Sequence, residues 1–271
     1  MLYNKYKYLL VPLATSLLAV GTASADQLCD LSDGFAPTPI GFSQEAEACL
    51  EGVDGLNVQS YLESEIRRQT LALREARGEG TSNLASLNEA ARLHAFDMAA
   101  RGFIAHDDPE GRGHIDRIRI LERQRLVGAT GANIVVVSAN SSPQEVFEAI
   151  MSDPENARNA KRSSFTHMGV GAVESGGRIY VVQLFARVDG AIDQPVPIKL
   201  NKRTDLRVSY ENPKIRTVDW RLEDGSGATL LRGTGPQIMD PPDAIAAGGL
   251  RFNVALGSDT YVLAGPAVMT Q

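Results

Sequence analysis

The sequence predicts an α/β sandwich followed by a small antiparallel β region, and three observations carry that prediction. Up to about residue 188, segments with helix-capping signals and apolar residues at helical spacing alternate with β-rich runs. Two of those runs, 168–173 and 179–188, flank Gly176-Gly177 in the manner of a hairpin. After Asp189 helical periodicity disappears and apolar residues alternate with polar ones. Helices interleaved with strands bury their apolar stripes on a shared sheet, which gives the sandwich.

The chain opens with Lys5 and Lys7, an apolar run from Leu9 to Val20 and the small residues Ala23-Ser24-Ala25. This is the pattern of a signal peptide over residues 1–25, cleaved before Asp26. The apolar run falls short of the roughly 20 residues a membrane span needs, so the chain is expected not to span a membrane once cleaved. Residues 26–56 read as an N-terminal segment holding the only two cysteines, Cys29 and Cys49. Export to an oxidising compartment makes them a disulfide, and closing that loop contributes about 3 kcal/mol in the chain-entropy model. Losing the signal takes the formal net charge from −6 to −8, which argues against nucleic acid as a partner.

From residue 57 to about 190 the elements follow one another closely. Asn57 reads as the N-cap of a helix bearing Val58, Leu62, Ile66 and Leu73, which ends near Gly78. Ser86-Leu87-Asn88-Glu89 reads as a capping box opening the next helix, with Gly102 as its C-terminal stop. His94 lies on the apolar stripe of that helix and is expected to be buried with a backbone partner. Phe103-Ile104 is expected to return to the core before His106 emerges beside the acidic turn 107–111 and His114. Residues 116–126 alternate arginine with aliphatic residues without a firm assignment. Gly131 to Val137 reads as a buried strand, Ser142-Pro143-Gln144-Glu145 as a second capping box, and Asp153-Pro154 as the stop of its helix. Residues 155–164 read as a polar stretch. Past the linker Gln194-Pro195-Val196-Pro197, residues 191–271 read as the C-terminal β domain. Leu206, Val208 and Tyr210, then Val218, Trp220 and Leu222, then Phe252, Val254 and Leu256 point to one core, and 224–227 is a turn.

Three stretches together resemble the CAP superfamily (the SCP/PR-1-like domain), in its short bacterial branch. They are Leu93–Ala99 running on to Gly102-Phe103, His106, Pro109 and Gly111; Gly131-Ala132-Asn133-Ile134; and Phe165–Gly171 followed by Tyr180–Ala186. The resemblance implies an α-β-α sandwich, usually secreted, with a cleft where two histidines and two acidic residues hold a divalent metal. Position by position, His106 matches the first histidine, Ala132 replaces a glutamate, and Asn156 replaces the second histidine. The remaining acid falls at Ser152 or Asp153. A zinc site usually takes three or four protein ligands, so tight metal binding is not expected. His106 is the weak candidate ligand, with Glu155, His94 and His114 as spatial substitutes, and no other cofactor is implied.

The functional expectation is an exported, periplasmic or secreted, non-enzymatic binding or interaction protein with a degenerate metal tetrad. The resemblance implies lipids or other cell-envelope components as ligands. The alternative is a hydrolase using His106 in the cleft, with Ser163 or Ser164 near His167 supplying a hydroxyl.

Overall fold

The computed structural model describes residues 29–241 and 247–270. The predicted signal peptide lies outside them. Among the described residues no helix is long and apolar enough to cross a membrane.

The frame is a mixed sheet with helices on both faces. Strands β1 (Asn57–Val58), β3 (Arg125–Ser138), β4 (His167–Ser175) and β5 (Arg178–Ile192) lie in the order β1-β4-β5-β3, with β2 (Ser82–Asn83) parallel to β4. Gly176 and Gly177 both take positive φ and close the expected β4–β5 hairpin. Alternate residues of β5 go to opposite faces, as a pleated strand requires. Tyr180, Val182, Leu184 and Ala186 pack with α1 (Pro39–Glu51), α3 (Ala85–Arg101) and α4 (His114–Leu121). Ile179, Val181 and Phe185 pack with α2 (Ser60–Glu75), α5 (Pro143–Ser152) and α6 (Pro154–Ala160). Gly169 and Gly171 explain how closely α3 can approach: a Cβ on either would come within 2.3 Å and 2.2 Å of its backbone.

The C-terminal strands extend this sheet. β8 (Ile215–Glu223), β9 (Thr229–Gly233), β11 (Gly248–Leu256) and β12 (Asp259–Val268) continue the order as β3-β12-β11-β8-β9. β12 meets β3 through the pair Ala264–Val127, and β7 (Val208–Tyr210) adds to β5. β6 (Arg203–Asp205) and β10 (Gln237–Met239) form a separate pair. Leu206, Trp220, Leu222, Phe252, Val254 and Leu263 share one core, and the Trp220 indole N–H donates to the Gly235 carbonyl.

Several local readings need correction. Residues 39–51 form a helix within the segment read only as an entry, its start signalled by Thr38-Pro39, where the Thr38 hydroxyl accepts from Gly41 N–H. Asn57 is not a cap. It pairs with Glu174 in β1, and α2 starts after Gln59. The Ser86–Glu89 box does not form, because the chain enters α3 directly from β2. Leu84 N–H is bonded to Met168, the Leu84 carbonyl already accepts from Leu87 and Asn88, and Ser86 instead donates to Glu122. Ile104 is exposed rather than returned to the core, and Val218 is exposed where β8 and β11 slip register. The polar stretch after Pro154 contains α6, capped by the Asp153 carboxylate. The second capping box forms as expected, with Ser142 and Glu145 bonded reciprocally.

Candidate functional site

The cleft candidates begin at the end of α3. Gly102 takes φ 71°, the left-handed conformation that stops the helix, and its N–H bonds to Met98. The chain then runs to His106, which is exposed. His94 is 2% exposed, and its Nε2 donates to the Ala105 carbonyl at 2.8 Å. That bond makes Nε2–H the tautomer and leaves Nδ1, which is buried without a partner. Burial, then the Arg117 charge, lowers the His94 pKa to about 3. The same two causes lower His114 to about 4, and His114 Nε2 meets the Thr130 hydroxyl at 2.9 Å.

Arginines hold the loop that carries His106. Arg117 Nη2 donates to the His106 carbonyl at 2.7 Å and Nη1 to the Arg112 carbonyl at 2.6 Å. Arg112 in turn binds Asp108 and the carbonyls of Phe35 and Ala36. Arg101 bridges Asp97 and Glu110 through two bidentate contacts. Within the acidic turn Asp108 is built into the fold, 4% exposed, while Asp107 and Glu110 are exposed. Asp97, Asp108 and Glu110 bring carboxylate oxygens within 4.8 Å of one another. Guanidinium groups already compensate that charge.

The second histidine position has a different environment. The Asn156 side chain is buried and donates to the Ile134 carbonyl at 3.3 Å, while Asn159 donates to the Ala132 carbonyl at 3.2 Å. Two side-chain amides of α6 therefore hold that helix to backbone carbonyls of β3. Ala132 is buried and apolar. Glu155 points to solvent and pairs with Arg158 at 3.3 Å. Among the described residues no hydrogen bond or ion pair joins the His106 imidazole to His94, His114, Asn156 or Glu155. His167 Nδ1 is held by the Thr166 hydroxyl and Ser164 accepts from Arg162; among the described residues no hydrogen bond joins Ser163 or Ser164 to His167.

The profile of the CAP family, described as the cysteine-rich secretory protein family, matches residues 74–185. Residues 74–185 carry the CAP domain. The match spans α3, the His106 loop, β3 and the β4–β5 hairpin. Solved structures similar to this CAP domain include an extracellular protein containing an SCP domain from Bacillus anthracis str. Ames, at 20% identity and a TM-score of 0.41, covering 47% of this chain and 41% of that one. An outer surface protein from Borrelia burgdorferi is 15% identical with a TM-score of 0.40, covering 46% of this chain and 94% of that one. Hookworm platelet inhibitor is 15% identical with a TM-score of 0.27, covering 46% and 66%. The chain thus spans less than half the length of the Bacillus protein it matches. Among curated proteins none matches.

Sequence reasoning missed the arginines. Arg74, with no exposed surface, donates to the carbonyls of Ala160, Arg162 and Phe165 and to the Thr81 hydroxyl. Arg119 and Arg123 reach from α4 and its end to Gly265, Leu250, Val196 and Ala267 carbonyls. Only Arg119 carried a signal, its position between Ile118 and Ile120, where a long cation can bury its stem.

Proposed function

We propose that the protein is an exported binding or interaction protein of the cell envelope, periplasmic or secreted, that acts without catalysis. The observation that carries this reading is the Asn156 amide spent on the Ile134 carbonyl. Together with Ala132, which has no donor atom, it leaves the positions of the family's metal tetrad unsuited to a divalent ion. His106 alone supplies an imidazole there. The Cys29–Cys49 disulfide fits an oxidising compartment. The ligand class comes from the CAP resemblance: lipids or other envelope molecules.

Two measurements test this. Calorimetric titration with zinc should give no tight stoichiometric binding, and tight binding abolished by His106→Ala would sink the degenerate-tetrad reading. Native mass spectrometry of protein extracted from its producing cells should show a bound lipid or envelope molecule. The competing reading is a hydrolase using His106, and turnover on ester, peptide or cell-wall substrates that vanishes in His106→Ala would establish it.

A further inference from the structure

A cavity of about 270 Å³ lies between the start of α1, α4 and the turn that follows β8. Arg119, only 9% exposed, lines it. Its Nε donates to the Gly265 carbonyl at 2.8 Å and its Nη2 to the Leu250 carbonyl at 2.7 Å. Its Nη1 has no acceptor among the described residues, and no carboxylate there forms an ion pair with the group. The guanidinium lies flat against Gly249, where a Cβ would sit 1.9 Å from Nη2. Only glycine leaves that space.

Arg251 lines the same cavity and contributes a second guanidinium, held to Glu223 through Nε at 2.7 Å. Burial and then Arg251 lower the Arg119 pKa to about 10, against the opposing pull of Asp116 and Glu223. Arg112 also lines the cavity, paired with Asp108, and Glu223 lines it beside Arg251, so Arg119 is the lining guanidinium that no carboxylate pairs among the described residues. Asp116 and Asp224 line it too, so a simple anion would meet repulsion as well as attraction. A molecule carrying an ammonium beside its carboxylate satisfies both signs.

We propose that this cavity binds a small zwitterionic carboxylate, of the free amino acid or short-peptide class. Its carboxylate sits between Arg119 Nη1 and Arg251, and its ammonium faces Asp116. The site is separate from His106 and independent of the reading given above for the cleft.

The test is an NMR titration of isotope-labelled protein with glycylglycine, following the amides of Gly225, Gly248 and Gly249. Saturable shifts are expected, with acetate alone and ethylammonium alone each binding about tenfold more weakly or worse. Arg119→Gln should abolish the shifts. Because that side chain also docks α4 to the sheet, Arg251→Gln on the more exposed wall provides a second variant, expected to fold normally and to weaken binding several-fold. Any of three results overturns the proposal: no saturable shift in the wild type, acetate binding as tightly as glycylglycine, or unchanged affinity in a folded Arg251→Gln protein.

Discussion

The CAP sheet and its C-terminal extension are one sheet closed in two different ways. Over β4 and β5 both faces are sealed, by α1, α3 and α4 on one side and α2, α5 and α6 on the other. Over β8, β11 and β12 one face holds the Trp220, Phe252 and Leu263 core. The opposite face carries Asp219, Arg221, Asn253 and Arg251, joined by ion pairs and hydrogen bonds along the surface. A strand buried on both faces has no solvent to satisfy stray polar groups, so the CAP part relies on buried arginines and amides, whereas the extension leaves its charges in water.

The largest expected effect comes from breaking the sealed part. Arg74→Leu removes the donor from the buried Ala160 and Phe165 carbonyls and should cost about 3 kcal/mol or more, read as a drop in the urea midpoint with loss of the whole fold. At the seam the effect is smaller and local. Gly249→Ala forces the Arg119 guanidinium off its carbonyls and should cost about 1–3 kcal/mol. Hydrogen exchange should then quicken in β11 and β12 while β4 and β5 keep their protection. Equal loss in both regions would mean that the two halves share a single cooperative unit.

Acid should distinguish the halves again. His94 and His114 are held neutral, with pKa values of about 3 and about 4 against an ordinary 6.5. The unfolded chain therefore takes up protons first, and stability is lost as pH falls from about 6.5 toward the folded values, with no contribution above that window. Urea midpoints across this range should decline, and His114→Gln should flatten the slope. The smallest effect expected is at a surface cap: Ser142→Ala removes the bonds that open α5 and should cost about 1 kcal/mol, seen as a modest fall in melting temperature.

Local rules recovered most of the fold. Gly102, Ser142-Pro143 and Gly176-Gly177 each carry their geometry in residue type, and each behaves as the sequence implies. Ser86-Leu87-Asn88-Glu89 has the composition of a cap without the role, because β2 already feeds α3 its first bonds and a tertiary contact to Glu122 claims the hydroxyl. The candidate site was less legible. His106 and Asn156 can be located by motif, but what an amide at position 156 does depends on α6 lying against β3, a long-range fact absent from local pattern. The acceptors of the arginines of 117–123 were unreadable for the same reason: they are backbone carbonyls, which leave no trace in residue identity.

The reach of those arginines also imposes an order on synthesis. Arg119 finds its acceptor at Gly265, 146 residues further along the chain, and Arg123 finds one at Ala267, 144 residues further on. While the ribosome is still making the intervening strands, the CAP helices can assemble but α4 and the residues just after it keep two guanidiniums without their final partners. That end of the domain closes only when the last strand arrives, so translation pauses before β12 should leave a CAP core whose seam is still open to proteases and chaperones.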